Sequence, residues 1–122
     1  MKNNNTKKEK IIKKTLLINS HKGYHVVPSD EIEYCRAASA YCEIHLVNKK
    51  TIVYCKPLKW VDIKLQGTGN FYRIHKSFLI NKNFIDHLSF KPKPEVILKD
   101  DTHVKLSFRN ISWLKEKLKE DN

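Results

Sequence analysis

The sequence predicts a mainly β fold of many short antiparallel strands with two covering α-helices. Three observations predict it. Short runs in which apolar and polar residues alternate recur from Thr15 to Leu106, the period of strands with one buried face. Turn-forming clusters separate them, among them His21-Lys22-Gly23, Asn48-Lys49-Lys50 and Asp100-Asp101. Only two stretches space their apolar residues as a helix does, one opened by Pro57 and one that closes the chain.

Taken in order, Met1 to Lys14 reads as a solvated basic tail: it holds three asparagines and six lysines and has no aromatic residue to anchor it. The folded domain is expected over 15–122. Thr15 to Asn19 and Tyr24 to Val27 form a hairpin, and Pro28-Ser29-Asp30 forms a turn or single helical turn capped by Ser29 or Asp30. Glu31 to Ala37 places Ile32, Tyr34 and Arg36 opposite Glu33, Cys35 and Ala37; Tyr41 to Val47 places Cys42, Ile44 and Leu46 opposite Glu43 and His45. The small residues Ala38-Ser39-Ala40 make the tip between these two strands, and Thr51 to Cys55 adds another. Pro57 suits a first helical position, Leu58, Val61 and Leu65 form the apolar stripe, and Gly67 is the expected C-terminal cap. Strands at Ile85 to Phe90, Glu95 to Lys99 and Thr102 to Leu106 follow, the last two joined by a tight turn at Asp100-Asp101. A final helix starts near Phe108, capped by Ser107, with Ile111, Leu114 and Leu118 on one face.

Charge narrows the function. The chain of 122 residues carries 24 Lys+Arg against 13 Asp+Glu, for a net charge of +11. Such a balance asks for an anionic partner, and nucleic acid is the commonest one for a basic soluble domain. No apolar run approaches the roughly 18 residues that span a bilayer, and Lys13 and Lys14 interrupt the segment nearest to a secretory signal, so a cytoplasmic protein with no membrane partner is expected. Three cysteines (Cys35, Cys42, Cys55) without C-x-x-C spacing encode neither a disulfide framework nor a zinc knuckle, and buried reduced thiols are expected. The six histidines form no H-E-x-x-H or paired motif, and no metal or cofactor is expected. Nor is there a Gly-rich phosphate loop, a nucleophile elbow or a spaced carboxylate pair, which argues against an enzyme and a small-molecule substrate.

The stretch FYRIHKSFLIN, Phe71 to Asn81, carries the sharpest signal. Tyr72, Ile74, Phe78 and Ile80 alternate toward a core, yet Lys76 falls on the same face, where an unpaired charge would cost several kcal/mol. The strand must therefore end at His75-Lys76, putting Lys76 on a loop held by rigid scaffold on both flanks. Elsewhere Tyr41 follows three small residues on a tip that can approach a groove closely, and Arg109 offers a bidentate fork suited to guanine O6 and N7. Arg109 also falls in the first turn of the last helix, where free N–H groups attract phosphate.

FYRIHKSFLIN, together with EIEYCRAASAYCEIHL, PLKWVDIKL and VKLSFRN, resembles the LytTR family of bacterial transcription-regulator DNA-binding domains, over roughly Thr15 to Leu118. The resemblance implies a fold of about ten short antiparallel strands in small sheets that reads double-stranded DNA with loop side chains in place of a recognition helix. By motif position it implies base contacts from Tyr41, Lys76 and Arg109, with Arg73, Lys82, Lys105 and Asn81 as weaker candidates for phosphate contact or loop support. His75 and Ser77 are read as tying the turn together. It further implies a monomer in free solution that occupies direct repeats side by side.

The sequence departs from the family pattern at Ala40, where many members carry Asn or Gly before the Tyr position, and at Phe108, where many carry a second basic residue. Such domains usually follow a receiver or a membrane-embedded sensor, and the short stretch ahead of this fold leaves no room for one; either the chain is a small stand-alone regulator, which is the expectation, or it is a fragment of a longer protein. An RNA-binding or ribosome-associated basic protein is the alternative, since basic and aromatic loops serve there too.

Overall fold

The computed structural model describes residues 13–120. Most of the basic tail lies outside the described residues. Lys14 belongs to the fold: its N–H donates to Ser29 Oγ at 2.9 Å and its carbonyl accepts from Ser29 N at 2.6 Å.

Among the described residues, ten strands form three antiparallel sheets. β1 (Thr15–Ser20) and β2 (Gly23–Pro28) form a two-stranded ribbon. β3 (Ile32–Ala38), β4 (Tyr41–Leu46), β5 (Thr51–Tyr54), β6 (Phe71–His75) and β7 (Phe78–Asn81) form the main sheet, in the order β5-β4-β3-β7-β6. The third sheet, in the order β10-β9-β8, joins β8 (Ile85–Ser89), β9 (Glu95–Leu98) and β10 (His103–Lys105). The helices are α1 (Leu58–Leu65), between β5 and β6, and α2 (Ile111–Glu120) after β10.

The main sheet is covered on both faces, which is why β7 buries consecutive residues. Leu79 joins one apolar cluster with Leu16, Ile18 and Val27 of the ribbon, Cys35, Cys42, Ile44 and Ile52 of the sheet, and Leu58, Val61 and Leu65 of α1. Ile80 joins a second with Tyr72, Ile74, Val96, Leu98, Val104, Leu106 and Leu114. A period-two strand can serve two cores in this way only where both of its faces are packed.

Several local expectations are corrected. Tyr34 does not share a face with Ile32: the pairing of β3 with β4 shifts between them, so Ile32 and Cys35 lie in the first core while Tyr34 packs against the second. A β-bulge re-aims side chains in this manner. Gly67 is not the helix cap, because α1 runs on into a 3-10 turn over Gln66–Thr68; the left-handed residue that ends it is Gly69, at φ 72. Ser107 stands at the cap of the 3-10 turn Phe108–Asn110 but makes no side-chain cap bond, and the cap position of the turn Ser29–Glu31 is Pro28, with Ser29 and Asp30 lying inside the turn. Of the three cysteines, Cys35 and Cys42 are buried but Cys55 is exposed. Burial pushes the Cys42 thiol up to about 12 and the Cys35 thiol well above its usual range.

Candidate nucleic-acid interface

Three chain segments meet at one end of the main sheet, and main-chain bonds fix their meeting. β6 and β7 are joined by the two-residue turn Lys76-Ser77. β3 lies beside β7, so its outgoing end meets this turn: Ala37 N donates to Ser77 O at 2.8 Å. The β3–β4 tip beyond it closes with Ala38 opposite Tyr41, and Ser39 takes the left-handed φ of 65. On the other flank Ile74 O accepts Ser107 N at 2.8 Å and Asn110 Nδ2 at 3.1 Å, pinning the segment that carries Arg109.

Each predicted base-contacting side chain is presented outward from this junction. Tyr41 is 45% exposed at the start of β4. Lys76 is exposed on its turn, and Arg109 is exposed in the 3-10 turn Phe108–Asn110 that leads into α2. Lys76 and Arg109 line one cleft with Arg73, His75, Ser107 and Asn110. Tyr41 lies outside that cleft and is joined to it through the Ala37–Ser77 bond.

The turn is rigid because its polar groups are internally matched. Arg73 donates from Nε to His75 O at 3.1 Å and from Nη2 to Lys76 O at 2.6 Å, and Nη1 approaches Asp62 Oδ2 at 3.4 Å. Ser77 N donates to His75 Nδ1 at 3.0 Å. His75 is held below its usual pKa, first by burial and then by the charges of Lys105, Lys76 and Arg73. Both effects favour the neutral ring, which is the state in which Nδ1 can accept. The electrostatic reach of three cations onto one imidazole also marks how closely basic groups gather here.

The remaining candidates divide. Lys105 is exposed and lines an adjoining cleft with His75, Lys93 and Phe108. Lys82 and Asn81 stand at the opposite end of β7 from Lys76, on the order of 15–20 Å away at strand rise. Asn81 is 1% exposed and spends both ends of its carboxamide inside the fold, Nδ2 donating to Ile32 O at 2.9 Å and Oδ1 accepting Asn83 N at 3.0 Å. Of the two roles expected for it, the geometry leaves loop support and not phosphate contact. Sequence reasoning missed Lys93, which a proline-broken loop brings beside His75 and Lys105; no local pattern signalled that neighbour, since it depends on β9 pairing with β10.

A larger cleft of about 630 Å³ lies to one side, lined by Asp62, Tyr72, Arg73, Trp113, Lys117 and Glu120 among others. Its acidic and basic groups are mixed, which does not suit a polyanion. Among the described residues no helix is long and apolar enough to cross a membrane.

Exposed basic side chains thus gather on loops at one end of an antiparallel β domain. The family model described as the LytTr DNA-binding domain matches residues 22–119, and the chain belongs to the LytTR family. No curated protein is significantly similar to it. Among solved structures, it is similar to the LytTr DNA-binding domain of a protein described as a methyl-accepting/DNA response regulator from Bacillus cereus. That similarity has a TM-score of 0.72 at 19% identity and covers 85% of this chain and 95% of the other. The domain is thus a DNA-binding domain of the kind that regulates transcription.

Proposed function

We propose that this domain recognises specific double-stranded DNA sequences through loop side chains, with Tyr41, Lys76 and Arg109 touching bases and Lys105, Lys82 and Arg73 contributing positive charge toward phosphates. One observation carries the reading. Three segments far apart in sequence bring an aromatic and two cations to one end of the sheet, and main-chain hydrogen bonds at Ala37–Ser77 and Ser107–Ile74 hold them there. Side chains mounted so firmly and left exposed suit a ligand with fixed group spacing, as the major groove has. The guanidinium of Arg73 acts chiefly on the turn itself, since its donors are engaged with His75, Lys76 and Asp62. We further propose that the protein is a monomer in solution and fills direct repeats one copy at a time.

The test is selection of bound duplexes from a random pool, followed by competition among the selected duplex, a scrambled duplex, single-stranded DNA and structured RNA at one salt concentration. A selected duplex that outcompetes the other three supports the reading. Equal or better competition by structured RNA overturns it in favour of an RNA-binding protein.

A further inference from the structure

We propose that Phe108 is a fourth base-reading residue, which contacts the 5-methyl group of a thymine next to the base read by Arg109; this rests on the function proposed above. Phe108 is 81% exposed, more than any other large apolar residue of the described chain. A single exposed phenylalanine is unremarkable on most surfaces. This one stands on the same three-residue turn as Arg109, whose third member, Asn110, points inward and bonds Ile74 O at 3.1 Å. Consecutive residues of a 3-10 helix are about 120° apart around its axis, so fixing Asn110 inward turns the other two side chains outward in different directions.

Its surroundings favour a base edge over a protein partner. Lys105 and Lys93 line the cleft beside the ring together with Glu95, whose carboxylate is hydrogen-bonded to His103 Nδ1 at 2.9 Å, and a flank of net positive sign attracts the phosphates that border a groove. In the major groove the one apolar group that distinguishes a base pair is the thymine methyl, a known partner for phenylalanine. A guanidinium fork and a phenyl ring on one turn can therefore read neighbouring bases by different chemistry.

The experiment uses the duplex selected by the wild-type protein. Each thymine in it is replaced singly by deoxyuridine, which removes the methyl group and leaves every hydrogen-bonding group in place. Binding is measured for the wild type and for Phe108→Ala, whose thermal stability is expected to match the wild type because the ring is exposed. At one thymine adjacent to the guanine whose replacement is tolerated better by Arg109→Ala, deoxyuridine should weaken wild-type binding by about fourfold, the worth of one buried methyl. In Phe108→Ala that penalty should vanish. If the selected duplex binds with Arg109-dependent preference but no thymine methyl matters, or if the deoxyuridine penalties persist in Phe108→Ala, the inference falls while sequence-specific binding stands. Equal weakening of selected and scrambled duplexes by Phe108→Ala places the ring on the sugar-phosphate backbone and also overturns it. Failure to select any duplex removes both.

Discussion

Arg109 and Lys76 share a cleft but differ in what they can ask of a duplex. A guanidinium binds two acceptors in fixed geometry, whereas an ammonium is a rotatable point charge. Arg109→Ala should therefore lower the ratio of specific to scrambled affinity by about 1 to 3 kcal/mol, and Lys76→Ala should lower it less. An unchanged ratio with all affinities reduced together would make Arg109 a phosphate contact. His75 predicts a pH dependence. Its folded pKa is depressed below the unfolded value of about 6.5, so between the two the unfolded chain binds more protons. The associated stability is complete above about pH 6.5 and is lost as pH falls toward the depressed folded value. His103 acts in the opposite sense, since its hydrogen bond to Glu95 raises its pKa and that contribution fades as pH rises through the folded value. Comparing thermal unfolding of wild type and His75→Asn from pH 8 to pH 5 isolates the first effect; parallel curves would reject it.

At the scale of elements, the β6–β7 hairpin was legible in the sequence because an ammonium cannot occupy the buried face that Ile74 and Ile80 define. What holds its turn was only half legible. His75 and Ser77 do bond one another, but the part played by Arg73 depends on the irregular pairing between Arg73 and His75, which bends the strand so that the guanidinium reaches two carbonyls of its own turn. Alternation cannot show such a bulge, and it misassigned Tyr34 for the same reason. Arg73→Ala should accordingly destabilise the fold by roughly 1 to 3 kcal/mol, the range for losing hydrogen bonds from a charged donor. The turn amides of Lys76 and Ser77 should exchange faster than those of β9, a comparison that amide hydrogen exchange makes directly. Uniform exchange in the variant would show that the turn does not need the guanidinium.

For the whole molecule, the alternation of short strands was enough to indicate a β fold with helical covers, whereas the division of the core was not. Which side chain faces which cluster depends on pairing across the chain, as with Leu79 and Ile80. Charge is the property that acts at this scale. Residues 1–12 carry four lysines beyond the two, Lys13 and Lys14, that the described fold engages through Asp30, Ser29 and Lys64. Each phosphate neutralised steepens the dependence of log K on log salt by about 0.9, so deleting residues 1–12 should make the slope shallower by roughly 2 to 3 units. Specific and scrambled duplexes should weaken by similar factors, because phosphate contact carries no base sequence. An unchanged slope would assign those lysines elsewhere. Sedimentation at micromolar concentration without DNA should show a monomer, and a tight dimer would contradict the proposed mode of filling repeats.

The backbone bonds that join Ala37 to Ser77 and Ser107 to Ile74 also bear on how such a reader can change its target. Side chains on one recognition helix share a face, so altering one shifts the room left for its neighbours. Here Tyr41, Lys76 and Arg109 hang from three separate segments whose spacing is set by amides and carbonyls that no substitution at those positions removes. With the three side chains reading bases as proposed, exchanges at the three sites should combine with little interaction between them, so that such a domain could move from one operator to another a single base at a time without being rebuilt.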